Sequence, residues 1–239
     1  MERKDLYDAI WKRISVRRYL TKHIEEDKIS ILRRSIASIN EESGLNIEFI
    51  EDSDSFNSIK TLGMFKNVRS VIAVKGKGDD PNLQEKCGYY GERIVLEATY
   101  LELGTCWVAA TFNKKSKTLN VKDDETLVCA IPIGYGTDGF SESVDVPDAP
   151  HRKTISASEF LDGNNDVPSW VMTAMKAVQF APTAVNGQKA RFSYKDGSLY
   201  ISTPDGRYTM VDLGIIKLHF ELAAGGKFEI GNPAVFTKD

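Results

Sequence analysis

Two helical stretches, each closed by glycine, organise the 239-residue chain. One spans residues 85–103 and meets Gly104. The other spans residues 212–224 and meets Gly225 and Gly226. A glycine just past the last periodic position is a helix-stop signal, because it tolerates the left-handed backbone that ends a helix. Strand-like runs at 46–51 and 70–74 precede the first helix, and 127–133 follows it. Runs at 191–195 and 198–202 precede the second, and 228–236 can add an edge strand after it. With the helices that open each part, the order helix, strand, strand, long helix, glycine, strand occurs twice. Gly91-Glu92-Arg93-Ile94-Val95-Leu96 aligns with Gly214-Ile215-Ile216-Lys217-Leu218-His219. This recurrence predicts an internal duplication.

The remaining segments fit the same frame. Residues 5–14 place Leu6, Ile10 and Trp11 on one helical side, and 15–23 are extended. Residues 25–39 carry Ile29, Leu32, Ile36 and Ile39 at three-and-four spacing, a second helix. Residues 134–150 hold glycines, acids and prolines without periodicity, which marks a long connection. A helix is expected from about Asp166 to Phe180, with Pro168 in its first turn, and Asp196-Gly197 turns the hairpin that follows. The expected division is a first half at 1–140, a connection at 141–165 and a shorter second half at 166–239, packed as one globular unit.

Composition excludes several function classes. With 41% hydrophobic and 27% charged residues the chain reads as an ordinary globular protein. A net charge of -3 argues against a nucleic-acid partner. No apolar run is long enough to span a membrane, and the charged start Met1-Glu2-Arg3-Lys4-Asp5 has no signal-peptide core, so the cytoplasm is the expected compartment. Cys87, Cys106 and Cys129 lie far apart without C-x-x-C spacing, and with three histidines they supply no zinc set. His23, His151 and His219 lack a triad setting. No metal is expected, and no protein acid or base stands out as catalytic.

Three patches carry the chemistry. In Arg13-Ile14-Ser15-Val16-Arg17, alternation puts two cations and a hydroxyl on one edge. Such an edge suits a phosphate and a polarised carbonyl, or it is a solvated surface strand. Ala181-Pro182-Thr183-Ala184-Val185-Asn186-Gly187-Gln188 enforces a turn that can lie flat along a ring system or simply join a helix to a strand. In Leu101-Glu102-Leu103-Gly104-Thr105-Cys106-Trp107-Val108-Ala109-Ala110 a helix hands over to a loop of small residues, where a ligand can approach the backbone. Cys106 and Trp107 read equally as packing, and the two readings are compatible. Gly134-Tyr135-Gly136 is not a dinucleotide fingerprint.

Taken together, Arg-x-Ser-x-Arg, Ala-Pro-Thr-x-x-Asn-x-Gln and Leu-Gly-Thr-Cys-Trp resemble the FMN-dependent nitroreductase family, from Arg13 to about Ala224. The resemblance implies an α+β nitroreductase-like fold: a central, mostly antiparallel sheet flanked by helices, with an internal pseudo-twofold repeat. It also implies FMN, a reduced nicotinamide as hydride donor and a small acceptor such as a nitroaromatic or quinone, in a ping-pong cycle. A flavin-binding storage or sensing protein, or another flavin reaction on the same fold, is the alternative.

The family's turn normally follows the Arg-Ser-Arg segment, yet residues 35–40 lack the proline and glutamine, and the good copy lies in the second half. Family members are usually homodimers whose two subunits share each flavin site. The pattern therefore resembles a single-chain pseudo-dimer, monomeric, with one site kept and the other decayed. The resemblance assigns Arg13 and Ser15 to the phosphate and ribityl end, and Arg17 to the pyrimidine edge. Arg152, with Lys153 next, takes a further phosphate contact, although His151-Arg152-Lys153 also reads as a solvated cluster. Pro182, Thr183, Ala184, Asn186 and Gln188 form the ring-facing turn, and Ala109 and Ala110 offer backbone N–H groups toward N5 and O4. Where the family has Gln-Pro-Trp, Gln188-Lys189-Ala190 stands here, so an aromatic wall is missing.

Overall fold

The computed structural model describes residues 1–57, 61, 63–137, 153–163 and 166–239. Its main elements are α1 (Arg3–Lys12), α2 (Glu26–Ser43), β1 (Glu48–Ile50), β2 (Ser70–Lys77), α3 (Leu83–Tyr100), β3 (Gly104–Thr105) and β4 (Glu125–Gly134). There follow α4 (Ser169–Phe180), β5 (Arg191–Lys195), β6 (Ser198–Ser202), α5 (Thr209–Ala224), β7 (Lys227–Phe228) and β8 (Ala234–Thr237). The expected connection at 141–165 lies largely outside the described residues. Among those residues no helix is long and apolar enough to cross a membrane.

The strands form two four-stranded sheets, ordered β1-β2-β4-β3 and β5-β6-β8-β7, with every pairing antiparallel. The two orders are the same: first, second, fourth, third. Each sheet is entered from a helix (α2 or α4) and interrupted after its second strand by another (α3 or α5). The duplicated order of elements read from the sequence is thus matched by duplicated strand topology. Residues 228–236 are not one edge strand; the chain reverses within them, so β8 pairs with both β6 and β7.

By internal contacts the chain divides into two units. The N-terminal unit comprises the described residues of Lys12–Leu83 and Ile94–Ser143, and the C-terminal unit those of Met1–Trp11, Gln84–Arg93 and Val144–Asp239. In the N-terminal unit β2 and β4 are buried along most of their length, which suits their runs of β-branched and small apolar residues. Val71, Ala73, Ala130, Cys106, Val108 and Phe112 share one core cluster. Lys75 is buried in the middle of β2, where its ammonium bonds Glu48 at 3.0 Å and the carbonyl of Leu119 at 3.1 Å, so the charge is paired.

The C-terminal unit is built around α5, buried on nearly every side from Thr209 to Glu221, so its polar side chains must find partners inside the fold. Phe220 sits among Phe192, Phe228, Phe236 and Trp170, with ring centroids 5.1–6.2 Å away. The β5–β6 hairpin turns at Asp196 (φ 50°) and Gly197 (φ 79°), the two positive angles a two-residue hairpin needs. Gly225 (φ 75°) ends α5 as expected. Gly104 does not end α3: Glu102 takes the left-handed position (φ 63°), and Gly104 is already in β3. Its lack of a side chain serves packing, since a Cβ there would lie 2.6 Å from Val16 Cγ2. Pro168 likewise precedes α4 and does not sit in its first turn.

Candidate cofactor site

After α1 the chain runs extended along β3. Ser15 bridges Thr105 in parallel, and Val16 N–H donates to the Thr105 carbonyl at 2.8 Å. Tyr19 anchors this segment. Its buried hydroxyl lies 2.7 Å from the Val16 carbonyl and 3.1 Å from that of Pro132, and burial pushes its pKa well above the usual phenol range. Arg13 is buried, while Ser15 and Arg17 are exposed. All three act on Cys106. Burial pushes that thiol up, and the charges of Arg17 and Arg13 and a hydrogen bond from Ser15 oppose the rise. The first and third sequence patches are therefore neighbours in space.

Beyond Cys106 the backbone pairs once more with β4, Val108 and Ala130 exchanging bonds of 3.0 and 2.9 Å. Cys106 and Val108 belong to the core, whereas Trp107 and Ala109 between and after them are half-buried and Ala110 is exposed. Packing and presentation thus coexist in one segment, by alternation. Cys87, Cys106 and Cys129 are all buried and none is in a disulfide, as the packing reading expects.

The turn after α4 lies in the C-terminal unit and is held at both ends. Asn186 Nδ2 donates to the Lys153 carbonyl at 2.7 Å. The buried Gln188 side chain accepts from Thr154 Oγ1 at 2.6 Å and from Ile155 N–H at 3.1 Å, and its own amide faces the carbonyls of Lys153 and Asn186. Gln188 N–H donates to Thr183 Oγ1 at 3.2 Å. These bonds make Gln188 the fastener of the turn. Within it Val185 (φ 48°), Asn186 (φ 55°) and Gln188 (φ 47°) are left-handed. For a β-branched residue that conformation costs about 1–3 kcal/mol, and Val185 is 100% exposed, so no packing of its side chain offsets the cost. Pro182, Thr183 and Ala184 are half-buried, and Lys153 is exposed beside the turn. Arg152 and His151 lie outside the described residues.

A residue far along the chain completes the turn. Asp212, in the first turn of α5, accepts the Ala184 N–H at 2.8 Å from a position only 7% exposed. Burial raises its pKa to about 6, against the opposing pull of the Ala184 bond and the Lys189 charge. Nothing local marks it, because its partner lies 28 positions away.

A buried polar seam joins the first part of α3 to α5. Lys217 bonds the Glu85 carboxylate and the carbonyls of Glu229 and Gly231, and Glu85 accepts Gly231 N–H at 2.8 Å. Tyr89 donates to Glu221 at 2.6 Å. His219 lies between Glu92 (2.9 Å) and the Ala177 carbonyl (3.0 Å), a satisfied core histidine.

Comparison with known proteins is decisive at the family level. A family model described as "Putative TM nitroreductase" matches residues 5–224. The chain belongs to this family. It is accordingly an oxidoreductase by family, and its fold is nitroreductase-like. A Thermotoga maritima structure described as a "putative nitroreductase" superposes with a TM-score of 0.65 at 21% identity, over 99% of this chain and 94% of that one. A Bacteroides fragilis "Nitroreductase with Bound FMN" is similar over 63% of this chain and 98% of its own, at 15% identity and a TM-score of 0.46. A Clostridium difficile "FMN-dependent Nitroreductase" is similar over 59% of this chain and 91% of its own, at 20% identity and a TM-score of 0.47. Comparison with curated proteins returns no match.

Proposed function

We propose that this nitroreductase-family chain binds one FMN and uses it to move hydride from NADH or NADPH to a small acceptor such as a nitroaromatic or quinone. The observation that carries the reading is the convergence of Arg13, Ser15 and Arg17 on the Gly104–Cys106 segment. Two guanidinium groups and a hydroxyl beside a backbone with small side chains form a donor set suited to a phosphate and a flavin pyrimidine edge. When bound, the flavin supplies hydride acceptance and release at N5.

The chain's residues bind and orient. Arg13 and Ser15 hold the phosphate and ribityl end, with Arg152 and Lys153 as further cationic contacts. Arg17, exposed, would serve the pyrimidine edge, where its charge would favour the reduced cofactor. Ala109 and Ala110 would offer backbone N–H groups to the flavin's N5 and O4. Pro182, Thr183, Ala184 and Asn186 give the ring a flat polar turn, which Gln188 holds in shape. With these residues binding and orienting, hydride donor and acceptor would react in turn, a ping-pong order that asks for no protein acid or base.

Loop lengths favour one site per chain and a monomeric pseudo-dimer. The helix-to-strand link that carries the turn spans residues 181–190 after α4, but its topological counterpart after α2 is only 44–47. The link after β3 that carries Ala109 and Ala110 spans 106–124, while its counterpart after β7 is only 229–233. Each half has kept a different loop. The test is the absorption spectrum of the purified protein with quantified FMN release. One FMN per chain, bleached by NADH or NADPH, supports the proposal. Two per chain would overturn the single site, and no flavin after FMN addition would overturn the function. A flavin reduced by dithionite but not by either nicotinamide would favour a storage or sensing role.

A further inference from the structure

We propose that Asp212 is a positioning residue for the flavin-contacting turn: its carboxylate holds the Ala184 N–H and so sets how residues 182–186 meet the cofactor. This deepens the flavin reading above and rests on it. Three observations converge. The bond is short, 2.8 Å, and reaches the turn from α5, outside the turn's own sequence. The turn contains three left-handed residues, one of them the fully exposed Val185, and a strained backbone persists only where its surroundings over-determine it. The other fasteners, Asn186 and Gln188, tie its far end to residues 153–155, which leaves Asp212 as the side chain bonded to Ala184 N–H.

The choice of residue supports the role. Asp212 is buried, and Lys189 is the charged group that acts on it. A buried carboxylate costs desolvation that an asparagine of the same shape would avoid. Ionised, however, it accepts a stronger, charge-assisted bond, so the clamp is tighter above the pH at which the carboxyl titrates.

The experiment compares FMN binding to the full-length wild type, Asp212→Asn and Asp212→Ala between pH 5 and 7.5, by quenching of flavin fluorescence. At pH 7.5 Asp212→Ala is expected to bind about tenfold more weakly, and Asp212→Asn, which keeps an acceptor, recovers most of the loss. The ratio of Asp212→Ala to wild-type Kd should shrink as the pH falls through 6; using the ratio cancels titration of the FMN phosphate. Amide exchange at Ala184 without cofactor gives a second readout, expected faster in Asp212→Ala and restored in Asp212→Asn. Wild-type affinity and unchanged exchange in Asp212→Ala would overturn the clamp. Altered exchange with no FMN binding by the wild type would leave the clamp standing and overturn its cofactor role along with the function reading.

Discussion

Gly88 and Gly214 occupy reciprocal places where the first part of α3 meets α5. A Cβ on Gly88 would lie 2.0 Å from the Val211 carbonyl oxygen, and one on Gly214 would lie 2.1 Å from the Glu85 carbonyl oxygen. Exchanging the helices exchanges the contacts: Gly88 answers to Gly214, and Glu85 to Val211. Such reciprocity is the signature of a two-fold contact, in which residue i meets j and j's counterpart meets i's. It moves the alignment of the two helices by one turn from the sequence reading, which paired Gly91 with Gly214.

Because both contacts are to backbone, no side-chain rotation can relieve them. Gly214→Ala and Gly88→Ala should each destabilise the fold by about 3 kcal/mol or more. The double variant should cost less than the sum, since one separation of the helices makes room for both methyl groups. Urea unfolding of the two singles and the double checks this.

Lys217 and Glu85 form a buried pair whose remaining bonds are filled by backbone groups of residues 229–231. Burial lowers the Lys217 pKa, and the Glu85 carboxylate opposes that shift. Glu85→Ala strands the ammonium and should cost about 3–5 kcal/mol, whereas Glu85→Leu with Lys217→Met should cost clearly less. Thermal or urea melts of the three proteins decide it.

Asp212 links stability to pH with a definite sign. Burial raises its folded pKa to about 6, above the ordinary aspartate value of 3.8, so between these values the native state binds more protons than the unfolded chain. Stability from this group is therefore greatest at low pH and falls as the pH rises through that window. Asp212→Asn should remove the slope and be the more stable protein at pH 7.5, by on the order of 1–3 kcal/mol. Urea midpoints at pH 4.5 and 7.5 measure it.

Val185 is left-handed without a contact that needs its isopropyl group. Val185→Gly or Val185→Asn should stabilise the fold by about 1 kcal/mol, because both residues accept a positive φ more readily. A fall in melting temperature would show that the turn adopts another backbone in solution.

Arg17 is exposed beside Cys106 and is assigned the pyrimidine edge. Arg17→Ala should weaken FMN binding or slow flavin reduction by about tenfold, with little effect on folding, since an exposed charge contributes little stability. Unchanged affinity and stopped-flow reduction kinetics would remove the assignment.

What the sequence determined is what neighbours write. The 3.6-residue period of Ile29, Leu32, Ile36 and Ile39 specifies α2, since those side chains share one face. Asp196-Gly197 specifies its hairpin because few other pairs accept two positive φ angles. The three chemical patches were legible for the same reason, each being contiguous. Residues 35–40, the first-half counterpart of the family's turn, lie inside α2. Tertiary structure alone decided the rest. It chose Gly88 over Gly91 as the partner of Gly214, since every third or fourth residue lies near the same helix face and only the crossing point selects one. It brought Arg13, Ser15 and Arg17 to Cys106, gave Lys217 to Glu85, and carried Asp212 to Ala184. Hydrogen bonds and close packing depend on distance in space, and a side chain carries no local mark of a partner that the fold brings to it from far along the chain.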